Sequence, residues 1–278
     1  SRTDSEVILA AYEKWGPDCV KKFIGMFAFA IWDADKQLLF CARDRLGIKP
    51  FHWHHDPSHF LFGSEIKALI AGGVVPRPDW QSWSHYLHDG FYDHGDRTFF
   101  ATVNSLAPGH FMIVQNGTIT ESCYWRLEDH CDVSSDIGVD EAAERFHTLL
   151  TDSVNLRLRS DVPVGVNLSG GLDSAGLFSV VDRLREKSNP LHAFTAAYGD
   201  KRYDEDSYAD DVTSFSEIHQ TVNQLTSKAM QQELDTAIWH QEAPIGGVAT
   251  VGYHALHKTI RDNGIKVSME GQGVDEIL

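Results

Sequence analysis

Residues 166–176, "VNLSGGLDSAG", carry a short apolar run into Ser169, two glycines and an Asp-Ser pair. The run reads as the end of a β-strand and Asp173-Ser174 as the first turn of a helix, which places the glycines in a strand-to-helix turn. Without Cβ atoms, Gly170 and Gly171 let the backbone approach a ligand closely, and the N–H groups that open the helix form an anion site. A phosphate chain fits that turn. Asp173 is placed to hold a divalent cation against the phosphates, and Ser174 to donate a further hydrogen bond. The plainer alternative is a Gly-Gly strand exit with Asp and Ser serving as helix caps. The run of specified residues, set between an apolar strand and a helix, favours phosphate. The G-x-x-x-x-G-K-[ST] spacing is absent, so the turn is not a Walker loop.

Outward from the loop, strands alternate with helices of 10 to 15 residues. Residues 139–158 read as a helix with Val139, Ala142, Ala143, Phe146, Leu149 and Leu150 on one face, followed by a strand at "VPVGVNL" and a helix from Asp173. Strands at "LHAFTAAY", "IHQTVN" and "IKVSMEG" follow, separated by helices. That order implies a parallel, doubly wound sheet, in which ligands sit beyond the carboxyl ends of the strands. The preceding half reads differently. A helix over 5–15, with Val7, Ile8, Ala11, Tyr12 and Trp15 on one side, leads into three hairpins turning at Asp33 to Lys36, Asp56-Pro57-Ser58 and Asn116-Gly117. Further helices are expected near 64–71 and across "WQSWSHYLHDGF". The expected architecture is α+β over 1–126, a polar linker over 127–137, and α/β over 138–278.

Composition bounds the rest. With 42% hydrophobic residues in 278, the chain has material for a sizeable core and for two ordinary domains. A net charge of -16, from 40 acidic and 24 basic residues, repels phosphate backbones and anionic membranes, so nucleic acid is not an expected partner. The apolar stretch "FIGMFAFAIW" is too short for the ~20 residues of a membrane helix. Cys19, Cys41, Cys123 and Cys131 show neither zinc nor disulfide-framework spacing and read as reduced thiols in a cytoplasmic protein. The start without Met and the abrupt close at Leu278 read as a piece cut from a longer chain. His52, His54, His55 and His59 lack a metal-pair spacing and read as a solvated hairpin.

The motif "SGGLDS" resembles the pyrophosphate loop of ATP pyrophosphatases, and its setting in "VPVGVNLSGGLDSA" is similar to that of glutamine-dependent asparagine synthetase. In the first half, "FIGMFAFAIWD", "LFCARDRLGIKPF" and "FLFGSEIKALI" resemble the later strands of that family's glutaminase domain, a class II amidotransferase with an N-terminal-nucleophile fold. The resemblance covers essentially the whole chain. It implies ATP and Mg2+ as cofactors, glutamine and aspartate as further substrates, and, because family members are often dimers through the first domain, a homodimer. It assigns ATP binding to Asn167, Ser169, Gly170, Gly171, Asp173, Ser174, Ala196, Glu270 and Gly271. Asp173 and Asp275 are the implied magnesium ligands, and Asp275 and Glu276, in "GQGVDE", are implied in catalysis at the acyl-adenylate. Asp4 resembles the aspartate that holds the α-amino group of glutamine, and it also suits a helix N-cap.

The family's nucleophilic cysteine precedes the matched region, so this stretch is not expected to hydrolyse glutamine by itself. A lysine that acts on the adenylate would follow Leu278. At the acceptor site, Gln272 stands where asparagine synthetases typically have Glu, and Gln is neither a base nor an anion. Two acceptors therefore stay open: aspartate, or another carboxylate such as a sugar acid or a peptide side chain. A non-catalytic nucleotide-binding scaffold is the remaining alternative, against which the retained Asp173, Asp275 and Glu276 weigh.

Overall fold

The computed structural model describes residues 3–92, 95–131, 137–186, 191–200, 204, 206–214 and 218–274. It divides into two compact units, Ser1–Ser134 with Glu242–Pro244, and Ser135–Gln241 with Ile245–Leu278.

The first unit opens with α1 (Asp4–Trp15) and a 3-10 turn, then β1 (Ala28–Asp33), β2 (Leu38–Arg43), β3 (His52–His55) and β4 (Phe60–Gly63). After α2 (Ile66–Ala71) and α3 (Trp80–Asp89) come β5 (Asn104–Ser105), β6 (His110–Gln115) and β7 (Thr118–Cys123). All three expected hairpins form, as β1-β2, β3-β4 and β6-β7. In the last, Asn116 and Gly117 both take positive φ (50° and 73°), the backbone that makes Asn-Gly a hairpin signal. The strands assemble into an antiparallel sheet β1-β2-β6-β7 and a second sheet β4-β3-β5.

Alternation along β2 builds two cores. Leu38, Phe40 and Ala42 join Ala11 and Tyr12 of α1, whereas Cys41 joins Phe51, Leu106 and Met112 on the other face. Between these strands the chain is held by one buried carboxylate. Asp44, 1% exposed, accepts backbone N–H groups from Phe27 (3.2 Å), Leu46 (3.2 Å), Ile48 (3.0 Å) and Lys49 (2.9 Å). Arg43 completes the staple by donating to the carbonyls of Gly47, Lys49 and Leu106.

The first unit also recruits a distant segment. Glu242 accepts from the Ile66 and Lys67 backbone N–H groups, both at 2.6 Å, and pairs with Lys67 Nζ at 3.0 Å. These are the orphan donors that open α2, whose N-cap residue, Glu65, makes no side-chain capping bond.

The second unit runs α4 (Val139–Arg157), β8 (Val164–Asn167), α5 (Leu172–Leu184), β9 (Leu191–Ala197) and α6 (Asp206–Thr213). It continues with β10 (Ile218–Gln224), α7 (Ser227–Gln241), α8 (Val248–Asp262) and β11 (Val267–Met269). The sheet is parallel, in the order β10-β9-β8-β11. Its two faces carry separate cores. Leu191 and Ala193 pack with Val154, Phe178 and Val181 of α4 and α5, whereas Phe194 meets Leu256 and Ile260 of α8.

Two expectations are corrected. The helix α4 forms, but most of the apolar face read for it, which a core would bury, is exposed, Val139 by 85% and Leu149 by 63%. The helix meets the core through Leu150, Val154 and Leu158, because only its second half lies against α5. On α1, Thr3 occupies the N-cap position, without a side-chain capping bond, so Asp4 is not the cap but an acidic residue of the first turn, where it favours the helix dipole. Of the expected linker, Leu127–His130 forms a 3-10 turn, and 132–136 lie outside the described residues.

Asp44→Ala removes the common acceptor of four N–H groups in a site closed to water. It is expected to lower unfolding stability by about 3 kcal/mol or more in urea titration. A loss under 1 kcal/mol would show that loop 45–49 holds itself.

Candidate functional site

The strand order fixes where a ligand can sit. The chain passes from β8 outward through β9 to β10, then returns to the other side of β8 to make β11. The βα turns after β8 and β11 therefore diverge, leaving the crevice that open parallel sheets use for binding. A cavity of about 620 Å3 occupies that crevice, lined by Asn167, Ser169, Asp173, Ala196, Glu270 and Gln272 among others. Its size is in the usual range for a small-molecule site.

The loop after β8 is shaped by its own hydroxyls. Ser169 Oγ accepts from Gly171 N (3.2 Å), and Ser174 Oγ lies 3.0 Å from Ser169 Oγ and donates to Gly171 O (3.1 Å). Ser174 is buried, and its hydroxyl is engaged within the loop. Gly170 has φ 93°, a conformation costly for any residue with a Cβ, and Gly171 is the N-cap of α5. No side chain caps α5, so its first backbone N–H groups are left for a ligand. The loop is tied to the sheet by Leu168, whose N–H donates to Phe194 O and whose carbonyl accepts from Thr195 Oγ1 at 2.7 Å.

The opposite wall comes from β11. Ser268 Oγ donates to Asn167 Oδ1 (2.8 Å), which fixes the Asn167 amide so that Nδ2 donates to Glu270 Oε1 (2.5 Å). Tyr253 of α8 donates its hydroxyl to Glu270 Oε2, and His257 Nε2 lies 2.9 Å from Oε1. Burial pushes the Glu270 carboxyl above its ordinary range. Burial, helped by neighbouring His254, pushes His257 down, so at neutral pH the imidazole is uncharged and donates one N–H. Gly271 then lets this wall touch the loop: a Cβ there would stand 3.0 Å from Ser174 N and 3.1 Å from Asp173 C.

Of the residues singled out in the sequence, the cavity therefore brings together Asn167, Ser169, Gly171, Asp173, Ser174, Ala196, Glu270, Gly271 and Gln272. Asp275 and Glu276 lie outside the described residues. Asp4, on the first unit's opening helix, is exposed. The four cysteines are free, Cys19 and Cys41 buried, with burial pushing the Cys41 thiol up to about 12. Among the described residues no three His, Cys, Asp or Glu side chains group to hold a metal. In the histidine hairpin, His54 is 2.6 Å from Thr102 O and His59 is 3.5 Å from Asp56. Tyr253 and His257 escaped the sequence reading because a helical His or Tyr resembles any other until the helix is packed. Their four-residue spacing, which places both on one helix face, is the only local signal.

Residues 1–125 match the family of the glutamine amidotransferase domain, and residues 145–278 match asparagine synthase. The chain belongs to the glutamine-dependent asparagine synthetase family. It is 32% identical to a putative glutamine-hydrolysing asparagine synthetase of Methanocaldococcus jannaschii, over 99% of this chain and 53% of that protein. Asparagine synthetase 3 of Bacillus subtilis is 32% identical over 99% of this chain and 46% of its own length. The amidase chyE of Penicillium rubens is 31% identical over 99% and 42%. The chain thus spans about half the length of these relatives.

Gly271→Ala is expected to force the β11 wall away from the loop, and Gly170→Ala to strain the loop itself. Each should weaken ATP binding by about ten-fold or more in calorimetry, while the melting temperature falls by only a few degrees. Unchanged affinity in both would place the nucleotide elsewhere.

Proposed function

We propose that the second unit binds ATP in the β8-β11 crevice and activates a carboxylate as its adenylate, which ammonia from glutamine then converts to an amide. The observation that carries this is the uncapped start of α5 facing a cavity at the sheet's switch point, in a chain that joins an amidotransferase domain to an asparagine synthase domain. We also assign the first unit to the N-terminal-nucleophile, class II amidotransferase fold.

A carboxylate oxygen of the acceptor attacks the α-phosphorus, the bond from that phosphorus to the bridging oxygen breaks, and pyrophosphate leaves. Ammonia attacks the acyl carbon of the adenylate, the carbon–oxygen bond to AMP breaks, and the excess proton goes to solvent. Backbone N–H groups of the first turn of α5 receive the charge that grows on the leaving phosphates. Asp173, in that turn, offers the hard oxygen ligand that suits Mg2+, with Asp275 as its proposed partner. Mg2+ bound there supplies neutralisation of the phosphate charge. Glu270 is a fixed carboxylate in a pocket for a polyanion, so its remaining lone pairs must meet a neutral donor, for which the ribose hydroxyls of the nucleotide are suited.

The acceptor we assign is aspartate, giving asparagine. A second reading, another carboxylate, is favoured by Gln272, which lines the cavity without a charge to recognise an amino group, and by the amidase name carried by the Penicillium relative.

The test uses the protein that carries this chain, with ATP, Mg2+ and glutamine, offered aspartate, another carboxylate such as a sugar acid or a peptide side chain, or no acceptor, followed by mass spectrometry. Asparagine formed one-for-one with pyrophosphate is the expected result. Pyrophosphate that appears only with other carboxylates would replace aspartate as the acceptor, and none with any acceptor would overturn adenylation.

A further inference from the structure

Glu270 faces the nucleotide pocket, yet one of the groups that holds it stands behind it. His257 takes no part in lining the large cavity. Instead it lines a neighbouring groove of about 420 Å3 between α8 and β11, together with Arg261, Lys266, Ser268 and Glu270 itself. Glu270 is thus a partition between two spaces. On one side lies the proposed ATP site, and on the other two cationic side chains.

A glutamate gives up rotamer freedom when fixed, so it stays in one orientation only if donors hold it there. Asn167 and His257 both reach Oε1, whereas Tyr253 holds Oε2. Asn167 is itself anchored through Ser268, and Tyr253 packs edge-on against His257 with ring centroids 4.6 Å apart. His257 therefore supports the carboxylate both directly and through the Tyr253 ring. Without it, Glu270 keeps Asn167 but gains a route into the groove toward Arg261 and Lys266. An ion pair there would draw the carboxylate out of the nucleotide pocket.

We propose that His257 is a positioning residue for nucleotide recognition: it never touches ATP, but holds Glu270 against the groove cations so that the carboxylate meets the ribose hydroxyls. The inference rests on the ATP reading of the β8-β11 crevice. Its chemistry is that of a neutral N–H donor, so a glutamine at 257 can replace it, whereas an alanine cannot.

The experiment is calorimetric titration of ATP and of 2′-deoxyATP, with Mg2+ and without acceptor or glutamine, into the protein that carries this chain. The variants are His257→Ala, His257→Gln, Glu270→Gln and the His257→Ala/Glu270→Gln double variant. The expected results are a three- to ten-fold rise in the Kd for ATP in His257→Ala, a smaller preference for ATP over the deoxynucleotide, and affinity within two-fold of the parent in His257→Gln. In the Glu270→Gln background, His257→Ala should add less than two-fold, since the two act as one unit. Equal weakening of both nucleotides, or full additivity with Glu270→Gln, would overturn the positioning role and leave ATP binding intact. A parent protein that binds no ATP would overturn the nucleotide reading, and this inference with it.

Discussion

The Glu270 carboxylate is where three separately built pieces of the second unit meet. Asn167 ends β8, Glu270 follows β11, and Tyr253 and His257 lie on α8. A half-buried carboxylate is costly unless donors reach it, and Asn167, Tyr253 and His257 supply them, so each piece is held by the demand of the same side chain. Because β8 and β11 pair in parallel with Met269 opposite Val166, the carboxylate also falls at the point where the chain's two directions of travel across the sheet diverge. The crevice and the group that walls it thus have one cause.

The loop side of the crevice depends on a different economy. Short hydroxyl side chains, not salt bridges, shape residues 169–174, and they leave the helix start open. The arrangement suits a ligand that brings its own negative charge, in a protein whose surface is strongly acidic overall. Gly271 matters for the same reason: the two walls approach so closely that there is no room for a side chain between them. The first unit uses an analogous device for structure alone, with Asp44 filling its lone pairs from four backbone donors.

Much of this was legible in the sequence because it is local. Asn116-Gly117, the alternation "LLFCAR" and the Ser-Gly-Gly turn each state a backbone geometry in a few residues, and the structure contains all three. What was not legible depends on packing. The hydroxyl of Ser174 meets Gly171 O and Ser169 Oγ, contacts that only the folded loop brings together. The stripe on α4 was a true helical period with the wrong half facing the core. Glu242 carries no local mark, and its partners at Ile66 and Lys67 lie 176 and 175 residues earlier. Glu270 was named from the resemblance, but the contact of His257 behind it required the fold.

The most direct measurement is a crystal structure of the protein carrying this chain with Mg2+ and a non-hydrolysable ATP analogue. The phosphates are expected against the backbone N–H groups of the first turn of α5, with the ribose hydroxyls within hydrogen-bond reach of Glu270. A nucleotide bound away from the β8-β11 crevice, or one whose ribose turns from Glu270 while its phosphates meet another element, would contradict that placement.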